Sequence, residues 1–188
     1  MSAIVPVDPR YAPARTGRGR LYESAQDREN QRIGMEALLL WWRGDNRNYD
    51  AIDLGSGSPV DYLVVPEGSY LMGPLPRHGD AAVEYKRRKG SFGYWARPPD
   101  VPTLFIEKHK HDALLDAFGR GWGKPIFMAE WDNVVQFVDM RVAGAVPGVM
   151  ARLDRGLPED TDPGYYYSSD LLSTITQATW ARWSEPAR

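Results

Sequence analysis

In the stretch AAVEYKRRKG, residues 81–90, a small apolar run ends on Glu84, Tyr85 and Lys86 and is followed by Arg87, Arg88 and Lys89. Residues two apart in an extended strand share a face, so Glu84 and Lys86 project side by side while Val83, Tyr85 and Arg87 point the other way. A carboxylate beside an ammonium suits a hard cation bound by oxygen, with a neighbouring amine that orients or deprotonates a water. Taken alone, the triplet also fits a solvated strand face. Two upstream carboxylates extend the pattern. Asp61 stands at the start of the apolar run VDYLVV, where a lone carboxylate is unfavourable unless paired, exposed or bound to a metal. Glu36 interrupts the apolar helix sequence IGMEALLLWW. Each has a plainer reading as well: Asp61 as the residue after the GSGSP turn, Glu36 as a surface position.

The elements that must carry these residues follow from periodicity. Ile33, Ala37, Leu40 and Trp41 fall at helical spacing and Gly44 stands at a stop position, which predicts a helix over 21–43. YDAID and VDYLVV read as strands about a Gly/Ser turn, with Val60, Tyr62 and Val64 on one face and Asp61, Leu63 and Val65 on the other. A Pro- and Gly-rich loop leads to the strand AAVEYK, and RKGSFGYWARPPDVP is a punctuated excursion. His111, Leu114, Leu115 and Phe118 predict a helix over 107–119. KPIFMAEW and VVQFVDM, about Asp132-Asn133, predict a hairpin. SSDLLSTITQATWARW reads as a last helix capped by Ser168 or Ser169. This order implies an α/β or α+β domain with a central mixed sheet. Residues 1–20 read as an extended arm, 21–140 as the core, and 141–188 as a C-terminal extension with a helix.

Composition narrows the chemistry. The 188 residues are enough for one domain with a sizeable core. No apolar run approaches the ~20 residues a bilayer requires and the N-terminus lacks a secretory pattern, so a cytoplasmic protein without a membrane partner is expected. There is no cysteine, and His78, His109 and His111 lack the paired spacing of a zinc site, so any metal must rest mainly on oxygen ligands. The net charge of −2 does not point to nucleic acid. Distribution matters more than the sum: from Arg77 to His111 eight cations stand against four carboxylates, which offers an anionic ligand a local attraction that the net charge hides.

The ordered set of a helix Glu, a strand Asp and a strand Glu-x-Lys resembles the PD-(D/E)xK, or restriction-endonuclease-like, nuclease superfamily. Within it the chain is most similar to archaeal-type Holliday-junction resolvases and their virus-encoded relatives. Gly34 to Glu36 with ALLLWW stands where that family has its helix Glu, GSGSPVDYLVV matches the turn and metal-binding Asp, VEYKRR the (D/E)xK strand, and EKHKHDALLDAFGRGWGKPIFMAEW the following helix and strand. The match runs over roughly residues 30–140. Asp61 and Glu84 are farther apart than in compact members, through PEGSYLMGPLPRHGD, and the basic, Trp-containing segment after Lys86 is long.

The resemblance implies a restriction-endonuclease-like core with a central mixed β-sheet flanked by helices, and Mg2+-dependent cleavage of branched or structured DNA, with Mn2+ as a substitute. It implies that Asp61, Glu84 and the backbone carbonyl of Tyr85 ligate the metal. Glu36 completes the site directly or through water, with Glu29, about two turns earlier on nearly the same helix face, as its substitute. Lys86 polarises the attacking water, and the products carry 5'-phosphate and 3'-hydroxyl ends. Arg87, Arg88, Lys89, Lys108 and Lys110 are candidate phosphate contacts; solvated loop charges are the plainer reading. Tyr94 and Trp95 either pack or stack on bases. Symmetric junction cutting implies a homodimer. Two alternatives stay open: a nuclease of the same fold acting on duplex or single strands, and a non-catalytic nucleic-acid-binding or assembly protein.

Overall fold

The structure, a computed structural model, describes residues 4–6, 25–42, 48–54, 58–69, 80–88, 96–97, 101–131, 134–151 and 161–176. In chain order the elements are β1 (Ile4–Pro6), α1 (Ala25–Trp42), β2 (Tyr49–Asp53), β3 (Tyr62–Pro66), β4 (Ala81–Arg87), β5 (Ala96–Arg97), β6 (Val101–Glu107) and α2 (Lys108–Gly119). After them come β7 (Lys124–Glu130), β8 (Val134–Asp139), β9 (Val146–Ala151), β10 (Thr161–Ser168), a 3-10 turn at Ser169–Leu171, and β11 (Ser173–Thr176). Seven strands form a mixed sheet in the order β1-β2-β3-β4-β7-β8-β11, and four form a second sheet, β5-β6-β10-β9. This is an α/β architecture. None of the described helices is long and apolar enough to cross a membrane.

The large sheet grows from an antiparallel run, β2 to β3 to β4. From the end of β4 the chain crosses over through β5, β6 and α2 and returns in β7, which lies parallel to β4 with Glu84 opposite Phe127. A parallel neighbour needs such a crossover, because a tight turn joins only antiparallel strands. β7 reads KPIFMAE, apolar on both sides of the pleat, as a strand covered on both faces should.

Period-2 alternation then assigns the two faces. Val83 and Tyr85 of β4, with Ile126 and Met128 of β7, join Met35, Leu38 and Leu39 of α1 in one buried cluster. Ala82 of β4, with Phe127 and Ala129 of β7, joins Leu114 and Ala117 of α2, Leu104 and Ile106 of β6 and Tyr167 of β10 in another. One helix covers one face; the other helix and the second sheet cover the opposite face.

The predicted α1, α2, β2, β3 and β4 and the β7/β8 pair are present near their expected bounds. Four features differ. The expected arm contributes β1, which pairs parallel with β2, Ile4 opposite Ala51; the other residues of the arm lie outside the described ones. Val60 is buried with the α2-side cluster rather than with Tyr62, because it sits in a bend before the ladder begins. The excursion after Lys86 contains β5 and β6, and residues past Arg141 supply β9, β10 and β11. The expected C-terminal helix is instead the short 3-10 turn followed by β11, which pairs antiparallel with β8. Thr174, Ile175 and Thr176 are β-branched, stiff at χ1 and suited to a pleated surface, and Ile175 gains full burial in the α1-side cluster. Residues 177–188 lie outside the described ones.

Two local features make the packing testable. A Cβ on Gly34 of α1 would stand 2.7 Å from the Tyr85 ring, 3.0 Å from Glu130 Oε2 and 3.2 Å from the Met128 methyl. The helix therefore approaches the sheet as closely as a missing side chain allows. On the opposite face His111 of α2 is buried, its ring stacked on Tyr165 at 4.0 Å and its Nε2 3.2 Å from the Tyr167 hydroxyl. Burial lowers its pKa, with Lys108 adding to that and Asp112 opposing it.

Gly34→Ala should destabilise the fold by about 1–3 kcal/mol through overpacking, outweighing the ~1 kcal/mol that alanine brings to a helix interior; urea unfolding reads the difference. His111 binds fewer protons folded than unfolded below its ordinary 6.5, so stability should fall as pH drops from about 7 to 5.5. Thermal midpoints across that window should show a shallower slope for His111→Gln.

Candidate active site at the ends of β4 and β6

Asp61 lies immediately before β3 and is anchored to β4 twice. Its N–H donates to the Val83 carbonyl at 3.0 Å, and its Oδ2 accepts from the Tyr85 N–H at 3.0 Å. Its own carbonyl accepts from the Leu54 N–H at 2.9 Å. These bonds set the Asp61 carboxylate on the stretch of β4 that also carries Glu84. A separation of 24 positions between Asp61 and Tyr85, including the Pro- and Gly-rich loop, does not keep the two from meeting.

Glu84 and Lys86 share the α2-side face of β4 with Ala82, as alternation predicts. Glu84 is buried and forms an ion pair with Lys110 in the first turn of α2. Lys86 Nζ lies 3.7 Å from Oε1 of Glu107, the last residue of β6. The start of α2 and the end of β4 thus exchange partners: each offers one carboxylate and receives one lysine. Arg88 Nη2 donates to the Phe105 carbonyl at 2.7 Å and stands 3.7 Å from Glu107 Oε2.

The odd-numbered residues of β4 form a separate cluster on the α1 face. The Tyr85 hydroxyl and the Arg87 guanidinium both donate to Glu130, which is buried at the end of β7. Burial, and then the hydrogen bond to Glu130, push the Tyr85 phenol far above its ordinary range. This phenol stays protonated and acts as a donor.

Glu36 is not part of the site. It is half exposed and paired with Arg32 one turn earlier, on the helix that covers the Tyr85 face, whereas Glu84 points to the opposite face. The side chain of Glu29 lies outside the described residues. Among the described residues, no three of His, Asp and Glu come together as a metal-binding group.

The expected phosphate contacts are also redistributed. Lys110 neutralises Glu84, and Arg87 engages Glu130. Arg88 is only 14% exposed and holds the β6 backbone, while Lys108 pairs with Asp112 along its own helix. A buried carboxylate is costly without a counter-ion, so cations near Glu84, Glu107 and Glu130 are drawn into pairs before they can serve a solvent-borne anion. Lys89, Tyr94 and Trp95 lie outside the described residues.

Glu107 went unrecognised in the sequence because position 107 reads as the opening of a helix. The available signal was the one that singled out Glu84: a carboxylate ending the apolar strand TLFI. Lys110 was legible only as a cation, since its partner is 26 residues earlier on another element.

No protein-family model matches the chain, and no curated protein or solved structure matches it significantly. The site therefore stands on its own geometry, and the exchanged ion pairs provide the first test. Lys110→Met removes the counter-ion of a buried carboxylate and should cost about 3 kcal/mol by urea unfolding. Adding Glu84→Gln should return most of that loss; a double variant as unstable as the single one would show that Glu84 does not depend on Lys110.

Proposed function

We propose that this chain is a metal-dependent DNA endonuclease with a PD-(D/E)xK core, acting on branched or otherwise structured DNA. The observation that carries the proposal is the hydrogen bond from the Tyr85 N–H to the Asp61 carboxylate, which brings a distant Asp onto the Glu84-x-Lys86 strand. The order of elements supports it: a helix, a three-stranded meander, a crossover helix and a strand parallel to the third, with the acidic residues beside the third strand.

The donor set fits Mg2+ or Mn2+. Asp61 and Glu84 offer only oxygen, and Mg2+ is usually held by one or two carboxylates while keeping several waters, so the absence of Glu36 from the site does not remove the fit. When bound there, such an ion supplies charge stabilisation at the phosphate oxygens and an acidified water. Asp61 and Glu84 would hold it, with the Tyr85 carbonyl as a further oxygen donor. Lys86, 37% exposed, can reach solvent while its ammonium stays near Glu107, so it would donate a hydrogen bond to the attacking water. Lys110 would exchange its bond to Glu84 for one to a substrate phosphate, which recasts its expected role as a DNA contact. Hydrolysis would leave 5'-phosphate and 3'-hydroxyl ends. A homodimer would present two such sites to a symmetric junction, in a cytoplasmic setting.

A second reading, a nucleic-acid-binding protein that keeps the fold without catalysis, is favoured by one observation: Glu84 already has a full counter-ion in Lys110. One experiment separates the two. Labelled four-way junctions, flaps, duplex and single strands are incubated with the protein in Mg2+ or Mn2+. Cleavage of at least one substrate is expected, reduced at least a hundredfold by Asp61→Ala and by Lys86→Ala. Binding without cleavage would replace the nuclease with the non-catalytic reading, and equal cleavage by Asp61→Ala would defeat the assignment of the site.

A further inference from the structure

Glu107 ends β6 and occupies the N-cap position of α2, yet its side chain makes no capping hydrogen bond. An acidic residue at a helix start ordinarily accepts from the free N–H groups of the first turn. Here the carboxylate instead lies near the cations at the end of β4. Its side chain is only 4% exposed, and Oε2 is buried without a hydrogen-bond partner. Lys86 Nζ stands 3.7 Å from Oε1 and Arg88 Nη2 stands 3.7 Å from Oε2, both beyond hydrogen-bond distance.

Stability alone does not account for this arrangement. A buried carboxylate kept only for the fold gains most from close, hydrogen-bonded pairing, as Glu130 obtains from Tyr85 and Arg87 on the other face of β4. Glu107 has two cations nearby and is hydrogen-bonded to neither. Its negative charge therefore acts on Lys86 at a distance that leaves the ammonium's protons free for another acceptor. Arg88, fixed on the Phe105 carbonyl, limits how far the carboxylate can move.

We infer that Glu107 is a positioning residue for Lys86: its buried, incompletely hydrogen-bonded carboxylate holds the Lys86 ammonium at the end of β4, on the face that carries Glu84, without consuming its hydrogen-bonding capacity. The inference rests on the proposed nuclease reading and adds to it a residue from the crossover segment rather than from α1. Glu107 acts through Lys86 and touches no reacting atom.

The test uses the full chain with Mg2+ and whichever of the four-way junction, flap, duplex or single-stranded substrates the wild-type protein cuts. Glu107→Gln keeps the shape and removes the charge; kcat should fall at least tenfold while KM stays within about twofold. Glu107→Asp, which keeps the charge but leaves a gap, should recover part of that loss. In a Lys86→Met background, Glu107→Gln should cost less than twofold further, since a residue acting through the amine has nothing left to position. Wild-type kinetics in Glu107→Gln, or a full further tenfold loss in the Lys86→Met background, would overturn the inference while leaving the nuclease reading intact. Should Glu107→Gln fail to fold, Glu107→Asp decides: a fall in kcat at constant KM that disappears in the Lys86→Met background supports the inference, and any other pattern overturns it. Failure of the wild-type protein to cut any of these substrates would defeat the nuclease reading itself, and the inference with it.

Discussion

The structure depends on β4 being paired along both edges and covered on both faces. β3 lies antiparallel on one side and β7 parallel on the other, α1 covers the odd-numbered residues, and α2 with the second sheet covers the even-numbered ones. A strand in that position has little solvent for its polar side chains, so every charge on it must find a partner within the fold. That constraint sorts VEYKRR into two separate charged clusters. It also draws carboxylates from β6 and β7 and a lysine from α2 toward the same strand end.

The two clusters are built to different specifications. On the α1 face, Glu130 receives a phenol and a guanidinium within hydrogen-bond distance, and Gly34 allows the helix to close over them. On the α2 face, Glu84 has Lys110, but Lys86, Glu107 and Arg88 stand apart at 3.7 Å with one carboxylate oxygen unsatisfied. Low local dielectric makes the first cluster a rigid support and the second an arrangement that a polar ligand could complete. The crossover from β4 to β7 produces this asymmetry, because it returns the chain over one face only and places the start of α2 against the end of β4.

Much of this was legible in the sequence, for identifiable reasons. α1 and α2 show helical periodicity, β4 and β7 are bounded by loop residues, and alternation within β4 correctly separates Glu84 and Lys86 from Tyr85 and Arg87. Where the signal was weak or local rules gave way to tertiary ones, the expectations missed. Ser173–Thr176 reads as part of a helix until β8 offers it an edge and a buried slot for Ile175. Val60 breaks alternation because it precedes the ladder. Glu36 stands where the resemblance expects a helix carboxylate along the chain, but α1 packs on the face away from Glu84, a choice made by tertiary packing rather than by chain order.

The sequence by itself determined the pairing of Glu84 with Lys86 on one strand face, since a period of two is a property of the extended backbone and needs no long-range contact. It also determined that no cation can be held by thiolates, because the chain has no cysteine. Only the tertiary structure decided that Asp61 meets the Tyr85 N–H, that Lys110 neutralises Glu84 and that Glu107 lies within 3.7 Å of Lys86. Those contacts join residues 21 to 26 positions apart, carried together by an antiparallel pairing and a right-of-way over one face of the sheet. The physical reason is that charge pairing in a buried site follows distance in space, and distance in space is set by which elements pack on which face.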